Sequence, residues 1–259
     1  MNLFFSEYKS DYSNYIFPYV IWGTPESHGT PADIFNKGFL PNSKSLDRFY
    51  LCRNVRVDLE RFLPSSENRR VLRKGSIFET KLYKRSDFDF NDKWLSFCLD
   101  YADTKFGNGV MSRDRILSLV NSPIVSHLLL FKHRETEEDV GLVFLFLDSS
   151  RIAFYYYSFY NLDFFKQNLG MYMMTSAVSL FKELGYDYIY LGSCYSRNAL
   201  YKTQFNSFQF FNGFKWSDNI DELKFLIDRD NGNVDKHLFE NDIYLQNFYP
   251  DGTSFIKKS

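Results

Sequence analysis

The sequence predicts an α+β fold: a mixed sheet with flanking helices, plus a small N-terminal basic strand and helix packed on it. Three observations lead there. The runs "PIVSHLLLFKH", "VGLVFLFLD" and "IAFYYYSFY" between residues 123 and 160 are apolar, short and divided by turn residues, as buried strands are. "NLGMYMMTSAVSLFKELGYDYIYLG" (168–192) reads as a helix followed by a strand, which with the strand before it makes a crossover unit. "FNSFQFFNGFKW" (205–216) sets Asn-Gly between alternating aromatic runs, a strong hairpin signal.

Taken in chain order, "NVRVDLERF" (54–62) alternates Val55, Val57 and Leu59 with Arg56, Asp58 and Glu60, the pattern of a half-buried strand with one charged face. "PSSENRRVLRKG" (64–75) opens with Pro and serines suited to an N-cap and closes on Gly75, predicting a short basic helix. From Asn91, residues Trp94, Phe97, Cys98, Tyr101 and Ala102 recur at helical spacing until "FGNG" ends the run. A second helix fits "SRDRILSLVN", capped by Ser112. His127, inside a strand, reads as a satisfied core histidine. In the crossover helix Met174, Ala177, Val178, Phe181 and Leu184 form one stripe, Gly185 ends it, and Gly170 stands where it begins. A glycine there lets backbone N–H groups approach an anion or a developing oxyanion. The polar, acidic tail from 217 to 259 is expected to pack over the sheet and fray at its end.

Composition removes several function classes. Formal net charge is −1, so no global field attracts polyanions, yet residues 44–85 hold twelve Lys/Arg against five acids. That local excess favours an anionic partner. Three scattered cysteines give neither a disulfide framework nor a CxxC site, and four histidines lack HxxxH spacing, so no metal is expected. The first residues lack the basic start and apolar run of a signal peptide, and no apolar stretch reaches the roughly 18 residues of a membrane span. The expected compartment is the cytoplasm, with no membrane partner.

The order of hairpin, glycine-led helix, strand and hairpin resembles the GNAT acyltransferase core, in which two central strands splay apart to admit an acyl donor. Six segments, in order, narrow the resemblance to the arginyl- and leucyl-tRNA:protein transferases. "CRNVRVDLERFLPSSENRRVLRK" is similar to that family's cysteine, basic strand and F-x-P-S-R-S-Q-R-R segment. "LSFCLDYADTKFGNGVM" is similar to its helix ending in H-G-D-G-x-M, and "YYSFYNLDFFKQNLGMYMM" to its aromatic strand, F-Y-D-P-D loop and R-S-L-G-T-Y. "LGYDYIYLG" and "YKTQF" resemble L-G-x-x-Y-x-Y-L-G and M-x-Y-K-x-x-F, with Trp216 following at the right distance. The departures are specific. Phe17, Leu46 and Phe49 stand where the family carries cysteines, leaving Cys52, and Ser66, Asn68, Gln167 and Asn168 replace polar family residues.

The resemblance implies two regions, a transferase-like N-terminal region (1–75) and a GNAT-like acyltransferase domain (76–259). It implies aminoacyl-tRNA as co-substrate, no other cofactor, and transfer of an Arg- or Leu-type amino acid to a protein or peptide N-terminus, acidic ones among the acceptors. Such transfer starts from an activated ester, so the enzyme needs to position two partners and stabilise an oxyanion. The candidate residues follow. The backbone at Asn168, Leu169 and Gly170 meets the oxyanion or terminal adenosine, and Lys202 a phosphate or carboxylate. Tyr201 or Tyr157 relays a proton. Arg56, Arg69, Arg70, Arg73 and Lys74 contact tRNA, and Asp163 orients the amine or caps its turn. Two alternatives stand beside this reading: an acyl-CoA-dependent N-acyltransferase, against which "QNLGMY" lacks the second glycine of the pyrophosphate loop, and a non-catalytic RNA- or protein-binding descendant.

Overall fold

The computed structural model describes residues 1–13, 15–232 and 234–251; the expected fraying at the chain end falls on 252–259, outside the described residues. Four short strands, β1 (Asn2–Glu7), β2 (Tyr19–Thr24), β3 (Phe39–Pro41) and β4 (Phe49–Leu51), make a small antiparallel sheet in the order β1-β2-β4-β3. A one-turn helix, α1 (Pro31–Phe35), precedes β3; Thr30 and Asp33 close a capping box at its start.

The remaining strands build an eight-stranded sheet. They are β5 (Asn54–Asp58), β6 (Phe78–Lys84), β7 (His127–His133), β8 (Asp139–Asp148), β9 (Ile152–Tyr160), β10 (Tyr188–Ser193), β11 (Phe208–Phe211) and β12 (Trp216–Ser217). Their order is β12-β11-β5-β10-β9-β8-β7-β6. Neighbours are antiparallel except β9 and β10, which run parallel. A parallel pair needs a crossover, and the 15-residue helix Leu169–Glu183 supplies it. The sheet is therefore mixed and the protein α+β, as expected.

The helices sit where local signals put them. In α2 (Ser66–Lys74) the Ser65 side chain accepts from Asn68 N–H while the Asn68 side chain reaches back. Asn91 caps α3 (Asp92–Phe106), which stops at Gly107 with φ 100°, and Ser112 caps α4 (Arg113–Val120). The crossover helix is α5; α6 (Ile220–Asp230) and α7 (Asp242–Phe248) carry the tail back onto the sheet, as expected. Buried Glu222 anchors them: its carboxylate accepts from Asn212, Ser217, Tyr244 and Tyr249.

Helices cover both faces of the middle of the sheet, which is why β7, β8 and β9 read as apolar runs. Along β7, Leu129 and Phe131 turn toward a core shared with α2, α5, α6 and α7, whereas Leu128 and Leu130 turn toward one shared with α1, α3 and α4. Burying each such side chain contributes about 1.5–3 kcal/mol. Two sequence readings change. β6 went unforeseen, and the charged face assigned to β5 is covered at Arg56, which is 7% exposed because Tyr188, Trp216 and Asn36 pack over it. Its guanidinium lies 3.9 Å from the ring centroids of both Tyr188 and Trp216 and donates to Asn36, Gln209 and Tyr190.

Candidate active site

The parallel contact between β9 and β10 is short. Tyr188, Ile189 and Tyr190 pair with Ile152, Ala153 and Phe154, and there it ends. Beyond that point each strand stays with its other neighbour. β9 continues along β8 after an extra residue, Tyr156, and β10 continues along β5 after an extra residue, Leu191, with Gly192 at φ 86°. Each bulge bends its strand, so the pair opens into a slot.

A cavity of about 630 Å³ lies on the β9 side of that opening, at the start of α5. Tyr155, Ser158 and Tyr160 of β9 form one side; Asn168, Leu169, Gly170, Met171 and Met174 at the start of α5 form another; Asn198 and Tyr201 from a 3₁₀ turn (Arg197–Thr203) and Tyr101, Lys105 and Phe106 of α3 complete it, with Phe165. Its most buried lining residues are Leu169, Met174 and Tyr155, at 0%, 4% and 5% exposed. Among the described residues no carboxylate lines it.

The start of α5 is shaped for an approaching ligand. Asn168 holds a left-handed conformation (φ 62°, ψ 39°), and its side chain makes no capping bond. The first intrahelical bond runs from Tyr172 N–H to Asn168 C=O, which leaves the preceding N–H groups at the positive end of the helix. Gly170 permits close packing, because a Cβ there would come within 2.9 Å of the Tyr160 phenol. Tyr160 in turn packs on Tyr101, ring centroids 4.8 Å apart.

Of the residues singled out in the sequence, Asn168, Leu169, Gly170 and Tyr201 meet in this cavity. Lys202 does not line it. Its ammonium turns to the Ser193 carbonyl at 2.8 Å, and burial lowers its pKa while nearby Cys194 and Cys52 pull the other way. Tyr157 packs on the opposite face of the sheet against Tyr156 and Phe159. Asp163 is exposed; its backbone N–H donates to the Asn161 side chain in the turn. Arg56 is enclosed as described above.

The basic helix stands beside the cavity. Lys74 Nζ donates to the Lys166 carbonyl at 2.5 Å, which ties the end of α2 to the 3₁₀ turn (Leu162–Gln167) that leads into α5. Arg73 is exposed on the last turn of α2, Arg70 forms a bidentate pair with Glu67, and Arg69 donates to Pro64 C=O.

Sequence reasoning missed Tyr155, Ser158 and Tyr160. Strict alternation along β9 would place Tyr155 and Tyr157 on one face; the bulge at Tyr156 sends Tyr155, Ser158 and Tyr160 to the cavity instead. Nothing in "FYYYSFY" marks that bulge. Tyr101 and Lys105 were also missed, although the helical spacing of α3 gave their element.

Burial pushes the Tyr101, Tyr155 and Tyr201 phenols above their ordinary range, so they remain protonated donors at neutral pH. Among the described residues no group of three or more His, Cys, Asp or Glu is placed to hold a metal ion. At the positions where the resembled family carries cysteines, Phe49 is fully buried in the core, and the Cys52 thiol is pushed up to about 12 by burial. No helix of the described residues is long and apolar enough to cross a membrane.

A parallel pair splayed at the start of a glycine-led crossover helix resembles the GNAT arrangement expected from the sequence. No protein-family model matches the chain. Curated proteins named aspartate/glutamate leucyltransferase do match: the one from Ruegeria pomeroyi is 24% identical over 172 residues, covering 64% of this chain and 61% of that protein. The one from Chromobacterium violaceum is 25% identical over 185 residues, covering 66% and 70%. The matched stretch spans 61% and 62% of the relatives from Ruegeria pomeroyi and Dinoroseobacter shibae. The motif resemblance to tRNA:protein transferases is borne out by these relatives. Among solved structures, FemX overlaps 67% of this chain and 57% of its own at TM-score 0.43 and 10% identity. L-PGS from Bacillus licheniformis overlaps 55% and 46% at TM-score 0.40 and 15% identity. At that level of overlap neither carries a functional inference.

Proposed function

We propose that this chain transfers an amino acid of the leucyl class from aminoacyl-tRNA to the N-terminal amine of a protein or peptide. The observation that carries the reading is the cavity beside the splayed β9–β10 pair at the start of α5, which holds buried Leu169 and Met174 and, among the described residues, no lining carboxylate. An arginyl group buried there would meet no counter-charge, and an unpaired buried charge is costly. A leucyl group would gain about 1.5–3 kcal/mol from burial beside Leu169 and Met174. The names of the sequence relatives support the same class, with acidic N-termini as acceptors.

In the proposed reaction the acceptor amine attacks the ester carbonyl carbon. One C–N bond forms, the carbonyl oxygen becomes an oxyanion, and the C–O bond to the ribose then breaks. The N–H groups of Leu169, Gly170 and Met171 face the oxyanion. The departing ribose oxygen takes a proton from the Tyr201 phenol, solvent receives the proton released by the amine, and the phenolate, whose pKa burial raises, regains a proton from solvent. An N-terminal amine has a pKa near 8, so water suffices as acceptor.

The test is transfer of labelled leucine from charged tRNA to a peptide beginning with Asp or Glu, with arginyl-tRNA in parallel. Leucine transfer that RNase treatment of the donor abolishes is the expected result. Transfer of arginine but not leucine would overturn the side-chain assignment. Absence of transfer from any charged tRNA, together with thermal stabilisation by coenzyme A, would overturn the whole reading in favour of an acyl-CoA donor.

A further inference from the structure

Two adjacent phenylalanines in the turn before α5 have opposite fates. Phe164 packs edge-on against Phe78 and beside His133, whereas Phe165 stays 72% exposed while lining the cavity. A large ring held in solvent at the mouth of a pocket forgoes burial that its neighbour obtains. Its surroundings say what covers it. Lys166 is the next residue and is exposed, Lys74 is bonded to the Lys166 carbonyl, Arg73 is exposed on the turn of α2 beside Lys74, and Lys105 lines the same cavity. Asp163 is the acid of that turn. An exposed ring among cations is the composition that holds unpaired nucleotides: the base stacks on the ring, and the phosphates meet the cations.

We infer that Phe165 is the stacking platform for an unpaired base at the 3′ end of the donor RNA, with Lys166, Lys105 and Arg73 as its phosphate contacts. This rests on the aminoacyl-tRNA reading above and adds to it a residue and a ligand group. The platform stands outside the buried part of the cavity, so the base remains at the mouth while the aminoacyl group passes inward past Asn168 and Gly170. Phe106, 47% exposed on the same cavity, is the second ring available there.

The probe is a hairpin RNA ending in an unpaired CCA, compared with the same hairpin lacking those three nucleotides. Wild-type protein is expected to bind the CCA form more tightly. Phe165→Ala is expected to lose about tenfold of that preference and Phe165→Trp to keep it, with unchanged melting temperatures because the ring is exposed. Equal affinity of wild type and Phe165→Ala for the CCA form overturns the stacking role. Equal affinity of wild type for the two hairpins overturns it as well, while leaving RNA binding by the basic surface intact. If neither hairpin binds but leucine transfer from intact tRNA is measured, the platform fails and the transferase reading stands; if both binding and transfer are absent, the reading beneath it fails too.

Discussion

Lys202 illustrates how far a residue can be read from its neighbours in sequence. "YK" after a strand and loop suggested a cation facing the reaction, and Tyr201 does line the cavity, but the adjacent side chain folds back to Ser193. The 3₁₀ turn decides this, since successive residues on a turn point in different directions. Lys202 thereby holds the end of β10, where the Leu191 bulge leaves the chain irregular. The arrangement has a pH signature. An unfolded lysine titrates at its ordinary value near 10.5, whereas burial places the folded value lower. Between the two, the unfolded chain binds more protons, so stability rises with pH through that window; below it the cost of holding the charged form is fully present. Urea unfolding of wild type and Lys202→Met from pH 7 upward checks the sign. The difference should shift in favour of wild type as pH climbs toward 10.5, and a flat or opposite trend would show that the ammonium is not desolvated as described.

At the scale of elements, helix ends were legible and strand geometry was not. Ser112 and Ser65, one of the serines after Pro64, cap helices as expected, and Asn91 caps the helix that was read as beginning there, because a cap is a contact over three residues. The bulges at Tyr156 and Leu191 depend on which neighbour each strand keeps, a matter of partners far away in sequence. The entrance of α5 lies between these cases: Gly170 was conspicuous in the sequence, but its reason, the Tyr160 ring lying across it, came only with the fold. Gly170→Ala should therefore force the ring or the first helical turn to move. Overpacking of this kind typically costs ~1–3 kcal/mol, and a displacement of even an ångström at the reacting atoms can reduce rate by about a hundredfold. The expected result is a fall in kcat/KM of at least about tenfold for leucine transfer, with Gly170→Ala/Tyr160→Ala recovering much of the lost stability in a double-mutant cycle. Wild-type kinetics in Gly170→Ala would mean that the approach of Tyr160 is immaterial to the site. Asn168 provides the control, because glycine accepts its left-handed backbone whereas valine there should cost ~1–2 kcal/mol.

Across the whole molecule, an average charge near zero conceals a division of labour. The basic excess of residues 44–85 was legible in the sequence, but its use was not, since the fold distributes those cations among different tasks. Arg56 is sealed between Tyr188 and Trp216, Arg53 pairs with Asp230, and Arg85 donates to Val120 and Phe88 carbonyls. Arg73 and Lys166 remain exposed, and the Lys74 bond ties the end of α2, where Arg73 lies, to the backbone of Lys166. A polyanionic donor bound there would release counterions, so its affinity should fall with salt, and each phosphate contact adds roughly 0.7–0.9 to the slope of log affinity against log salt. Arg73→Ala and Lys166→Ala should each lower that slope by about one such increment when charged tRNA binding is measured across a salt series. At saturating donor both should leave kcat for leucine transfer unchanged, because neither side chain lines the slot. Unaltered slopes would take the donor's phosphates off these two side chains and require another face of the protein to carry the tRNA; a fall in kcat with the slope intact would place Arg73 or Lys166 at the chemistry instead, contrary to the geometry of the splayed pair.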